Sequence, residues 1–169
     1  MTDDDVFVVD ENNNPLAPRP RSESIKEGLW RRTGGGIALD AKRGLILCHK
    51  RSASKDERPS VWVAAFGGKS DPEEPANITA ARELREELGV VPNKGNMEFI
   101  GCIKSEERRQ FEYIFLARVD SQEVGVHPDP NEVAEFRWLK IADVTERLQN
   151  DSGWFAYGFE INLLNSLAL

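Results

Sequence analysis

Three glutamates, Glu83, Glu86 and Glu87, stand at i, i+3 and i+4 in the run RELREELGV. On an α-helix those positions crowd three carboxylates into about one turn. Glu83 and Glu87 repel by roughly 0.2–0.5 kcal/mol, whereas Arg82 and Glu86 attract across i, i+4. A cation among the carboxylates relieves the repulsion, and hard oxygen donors suit Mg²⁺ or Mn²⁺ rather than zinc. The competing reading is a solvated acidic face, and helix spacing alone leaves both open. Gly67 and Gly68, just ahead of the helix, permit an unusual turn and the close approach of a ligand. The carbonyl of Gly68 would add a further oxygen donor.

The helix that carries these carboxylates reads from Pro75, suited to a first turn, to Gly89, suited to a stop. At ~100° per residue, Ile78, Ala81, Leu84 and Leu88 gather on one side and the three glutamates on roughly the other. The carboxylates are therefore expected off the core. Ahead of the helix, strands are expected over 6–9, 30–39, 45–49 and 61–66, with a short helical turn over 22–29. The turn DAKRG makes 30–39 and 45–49 a hairpin. Beyond the helix, strands are expected over 98–104, 111–119 and 133–138, then helices over 141–148 and 155–167. The last rests on Phe155, Phe159 and Leu163 at i+4 spacing. Groups of strands separated by helices predict a mixed-sheet α+β or α/β arrangement. A chain of 169 residues fits one domain, 1–169.

The formal net charge of −7 argues against broad contact with nucleic acid or anionic membrane. A small phosphorylated ligand stays compatible, because a basic patch can sit inside an acidic protein. No apolar run approaches the ~20 residues of a membrane span, and MTDDDVFVVD lacks the features of a signal peptide, so the cytoplasm is the expected compartment. Cys48 and Cys102 lie in apolar runs and are expected to be buried, with neither a disulfide framework nor a zinc site. Oligomeric state is not legible, and a homodimer is left open.

The whole spacing Gly68, Glu74, Arg82-Glu83-Leu84, Glu86-Glu87, Gly89-Val90 resembles the Nudix box over residues 68–90. The resemblance implies a Nudix fold, an α/β/α sandwich around a mixed sheet, and a divalent-metal pyrophosphohydrolase. It implies that Glu83, Glu86 and Glu87, with Gly68, hold Mg²⁺ (or Mn²⁺), and that Glu74 and Arg82 brace loop and helix through a salt bridge. The competing reading of that pair is a plain surface contact. A weaker similarity, through Val9-Asp10-Glu11, Arg21-Ser22-Glu23, Gly28-Leu29-Trp30-Arg31-Arg32 and Lys50-Arg51-Ser52, is to the branch close to isopentenyl-diphosphate isomerase. The isomerase's catalytic Cys and the following Gly-His fall on Gly67, Gly68 and Lys69, so the thiol is absent.

Hydrolysis of a diphosphate needs charge neutralisation and a positioned water. A carboxylate that takes the water's proton is sought among Glu86 and Glu83, or Glu132 and Glu135 after the HPDPN loop. Phosphates need cations. Arg31, Arg32, Arg51, Arg58 and Lys69 are candidates, with Arg51 and Lys69 favoured for substrate binding beside Gly67 and Gly68. His49 and His127 have no metal-ligand spacing and read as incidental. Trp30, Trp62, Trp138 and Phe66 read as core or as a stacking surface. The expected substrate is a nucleoside diphosphate derivative or another small diphosphate ester. An isomerase-like enzyme and a non-catalytic ligand-binding or regulatory module are the alternatives.

Overall fold

A computed structural model describes residues 4–93 and 95–167. Its centre is β4 (Trp30–Asp40), an unbroken strand over the expected 30–39. β4 pairs in parallel with β9 (Gln110–Arg118), which pairs antiparallel with β8 (Met97–Ser105). On the other side β4 meets β5 (Leu45–Arg51) antiparallel only at Leu39↔Ile46 and Asp40↔Leu45. Beyond that short hairpin the partners differ. β7 (Ala65–Lys69) takes β4 along Thr33–Ile37, while β6 (Trp62–Val63) and β10 (Val133–Lys140) take β5. The sheet is thus mixed, as expected, and it splits between β4 and β5.

Alternation along the strands makes the layers. Ile37, Leu39, Ile46, Cys48 and Leu116 pack with Val144 and Leu148 of α3 (Ile141–Asn150) and Leu164 of α4 (Glu160–Leu167). The intervening Ala38, Leu47, Phe115 and Ala117 pack with Ala80, Leu84 and Leu88 of α2 (Ala76–Leu88). Helices therefore cover both faces of the sheet. At Gly34 the sheet and α2 touch closely: a Cβ there would lie 2.5 Å from the Ala76 carbonyl and 2.9 Å from Thr79 Cβ.

The remaining elements are short. β1 (Asp5–Val6) pairs with β3 (Arg19–Pro20), β2 (Val8–Val9) pairs with β4, and α1 (Arg21–Lys26) covers only part of the expected helical turn over 22–29. The helix expected over 155–167 begins only at Glu160, because residues 155–158 form an irregular segment ending at Gly158, φ +107°. Cys48 is buried, but Cys102 is exposed, because β8 is the edge strand of the sheet and most of its residues stay open to solvent. No helix among the described residues is long and apolar enough to cross a membrane.

Candidate active site

Helix α2 starts after Pro75 and ends at Gly89, φ +66°, whose N–H donates to the Arg85 carbonyl at 2.9 Å. The loop after β9 caps the same end, with N–H bonds from His127 to the Leu88 carbonyl and from Asp129 to the Glu87 carbonyl. The face of α2 turned to the sheet differs from the expected one. Ile78 is 50% exposed, whereas Thr79, Ala80, Leu84 and Leu88 are buried. Around the helix Glu87 lies only ~60° from Leu84, and Ile78 ~120° away on the other flank. The buried arc is thus shifted towards the carboxylates and takes Glu83 and Glu87 with it.

Glu83 presses on the chain before the helix: a Cβ on Gly68 would meet its carboxylate carbon at 2.5 Å. Glu87 reaches the neighbouring turn, where Gly67 N–H donates to its Oε2 at 3.4 Å. Burial raises the pKa of both. For Glu87 it reaches about 8, with the charges of Glu83 and Glu132 adding to burial, against the Gly67 N–H and Arg51. Two desolvated carboxylates against a bare backbone turn fit a hard divalent cation in chemistry. Glu86 points outward, 51% exposed, and no convergent three-residue metal cluster forms among the described residues.

Arg82 organises this corner. Its guanidinium donates to Glu74 Oε1 and Oε2 (3.1 and 2.9 Å), Glu83 Oε1 (2.8 Å), Glu86 Oε2 (3.1 Å) and the Lys69 carbonyl (2.9 Å). Glu74 also accepts from Thr79 Oγ1 at 2.8 Å and the Asp71 N–H at 3.2 Å. Burial alone would push the Glu74 carboxyl up, but the bonds from Arg82 and Thr79 more than offset it and lower its pKa. The Glu74 bonds in turn raise the pKa of Arg82.

A cavity of about 590 Å³ opens where β4 and β5 part. Glu87, Gly67, Gly68, Lys69 and Arg51 line it. Arg31, Arg58, Arg108 and Arg109 line it too, and with Glu57, Glu107 and Glu112 as further acidic residues its walls still carry more cations than carboxylates, although the chain is acidic overall.

A family model for the NUDIX domain matches residues 29–157. The chain belongs to the Nudix family. It is 31% identical to an isopentenyl-diphosphate Δ-isomerase of Streptomyces coelicolor over 160 residues, 88% of this chain and 78% of that one. It is 42% identical to an uncharacterized Nudix hydrolase of Pseudomonas aeruginosa over 82 residues, 48% of each chain. Among solved structures, a Deinococcus radiodurans protein superposes with a TM-score of 0.76 at 20% identity, covering 98% of this chain and 100% of that one. A MutT protein of Methanosarcina mazei superposes at 0.59 and 19%, covering 81% and 91%. At these identities the superpositions speak for the fold.

The Nudix box thus stands as one hydrogen-bonded unit, while the residues sought outside it divide. Glu132 is ion-paired with Lys55 and lies close enough to act on Glu87. Glu135 does not join the site: it is exposed and paired with Arg137 along β10. Lys69 lines the cavity and contacts Asp4 at 3.3 Å, and Arg51 is tied to the Glu57 carbonyl. Arg32 also lines the cavity, but it binds Asn13 and lies 4.5 Å over the Phe7 ring, holding the N-terminal segment. Trp30 and Phe66 are buried in the core. His49, read as incidental, lines the cavity buried, with Nδ1 lacking a hydrogen-bond partner. Alternation along β5 could have found it, since His49 shares the face of Arg51. Tyr157, Arg21 and Arg108 carried no local signal.

Proposed function

We propose that this Nudix protein is a Mg²⁺-dependent hydrolase (Mn²⁺ as the substitute) of a diphosphate linkage in a nucleoside diphosphate derivative or other small diphosphate ester. The observation that supports it best is the desolvated Glu83–Glu87 pair, against Gly67–Gly68 at the edge of a cation-lined cavity. Glu83 and Glu87, with Glu86 and the Gly68 carbonyl, would hold the metal. When bound, the metal supplies neutralisation of phosphoryl charge and a water of lowered pKa. Arg51 and Lys69 bind and orient the phosphoryl oxygens, as fork and point donors respectively. Glu74 and Arg82 brace the turn and helix and so hold Glu83 in place, while Glu86, which points outward, would turn in to join it. Glu132, or Glu86 or Glu83, takes the proton of the attacking water.

The isomerase reading has the printed names of relatives behind it, but it needs a thiol in the cavity. Gly67 and Gly68 bring none, Cys48 is buried against the α3–α4 layer, and Cys102 is exposed on β8. A non-catalytic module would have no need of the buried carboxylate pair. The test is Mg²⁺-dependent phosphate release across a panel of diphosphate esters, with Glu83→Gln and Glu87→Gln as controls. Loss of activity in both variants with the fold retained is expected. Absence of turnover together with absence of Mg²⁺ binding would sink the proposal.

A further inference from the structure

Arg31 sits on β4 with its Nε buried and without a hydrogen-bond partner, while its terminal nitrogen donates to a neutral acceptor, the Arg108 carbonyl, at 2.8 Å. Neither Arg31 nor Arg21 forms an ion pair among the described residues, whereas the neighbouring Arg108 and Arg109 pair with Glu112 and Glu106. Burial lowers the pKa of Arg31, and the like charge of Arg21 lowers it further, against the opposite charge of Glu57. A half-buried guanidinium beside a second cation, in salt-bridge contact with no carboxylate among the described residues, is a charge taken from water with little in return. Both side chains line the cavity.

We propose that this end of the cavity is a second anion subsite, in which Arg31, with Arg21 beside it, holds a phosphate on the group attached to the scissile diphosphate. The inference rests on the hydrolase reading and names its substrate class: diphosphates whose other half carries an anion of its own. The spacing sets the length of such a ligand. Gly35 pairs with Gly67, next to Glu87, and Arg31 lies four residues back along the same strand, about 13 Å away. Inorganic diphosphate is too short to span that interval, and a ligand of nucleotide size spans it. A hydrocarbon tail would leave Arg31 desolvated and unpaired, so the same feature turns the cavity away from isoprenoid diphosphates. In the reaction, water gives its hydroxyl to one phosphorus of the diphosphate. The bridging oxygen leaves with the other phosphorus and takes up the proton. The distal phosphate loses no bond and only anchors.

Two probe pairs that differ by one distal phosphate test this: NADP⁺ against NAD⁺, and coenzyme A against 3′-dephospho-coenzyme A. In at least one pair, kcat/KM with Mg²⁺ is expected to favour the phosphate-bearing member by about tenfold or more, the range of a charge-assisted bond. Arg31→Ala abolishes that preference, Arg31→Lys keeps part of it, and Arg21→Ala weakens it. Melting curves establish that each variant is folded. Equal turnover within both pairs, or a preference that survives Arg31→Ala, overturns the subsite. Should no probe be hydrolysed, calorimetric binding of the same pairs decides. An affinity preference that depends on Arg31 upholds the subsite while the hydrolase reading falls, and equal affinity or no binding overturns the subsite.

Discussion

Glu87 joins opposed demands in one side chain. Burial raises its carboxyl to about 8, far above the ~4.3 of an unfolded chain. A group whose pKa rises on folding stabilises most below its unfolded value, and that contribution is lost as pH climbs through the folded value. The metal-free protein is therefore expected to lose melting temperature between about pH 5 and pH 8, and Glu87→Gln to flatten that loss. At about pH 7 the neutral isostere raises the metal-free melting temperature by about 2–4 °C. The same change removes activity by on the order of 100-fold. Metal competes with the proton, so Mg²⁺ stabilises the wild type more at about pH 8 than at pH 6 and leaves Glu87→Gln unmoved; thermal melts with and without Mg²⁺ read all of this. Arg82 is the complementary case. Removing it strands Glu74 and Glu83, each only 13% exposed in its side chain, without a counter-charge. Arg82→Ala is expected to cost about 2–3 kcal/mol in urea unfolding, with Arg82→Lys recovering only part, because a single ammonium cannot reproduce the fork to Glu74.

At the level of strand and helix, two glycines separate stability from activity. Gly34 lies under α2, where a Cβ meets backbone at 2.5 Å, and backbone cannot swing aside. Gly34→Ala should destabilise the fold by about 1–3 kcal/mol in denaturant titration. Gly68→Ala meets the Glu83 carboxylate, a movable side chain, at 2.5 Å. It should leave the melting temperature within about 2 °C while lowering Mg²⁺-dependent turnover on the order of tenfold or more. Much of this level was legible beforehand. The stop at Gly89, the box helix and most of the strands follow from turn chemistry and periodicity. The helix phase was not, because Ile78 looks like a core residue while its neighbours Thr79 and Ala80, small enough to sit against Gly34, take the interior. The first residues of the helix expected over 155–167 fell outside it for a related reason. Phe155 meets Tyr157 edge to face and lies under Arg58 rather than on a helical stripe, and i+4 spacing of aromatics cannot tell the two apart.

In the molecule taken whole, a chain of net charge −7 surrounds a cavity lined by Arg31, Arg51, Arg58 and Lys69. Long-range repulsion of an anionic ligand by the exterior and attraction by the cavity respond differently to salt. The exterior is screened beyond about 8–10 Å near physiological ionic strength, while the half-buried Arg31 keeps most of its pull. KM for a diphosphate ester should therefore rise only modestly, about two- to threefold, between 50 and 200 mM salt. Steady-state kinetics at constant Mg²⁺ test it, and a steep rise would mean that binding rests on exposed charge. The box residues stand in short-range spacings that helix geometry translates directly into one corner of the fold, and the family resemblance rests on those same spacings. The cavity does not rest on such spacings, because it depends on β4 leaving β5 after two residue pairs and meeting β9 in parallel. Those long-range pairings bring Arg31, His49, Arg108 and Tyr157 together from segments far apart in the chain. Local propensity cannot encode such a meeting, since it is set by which strand edges find one another once both faces of the sheet are buried.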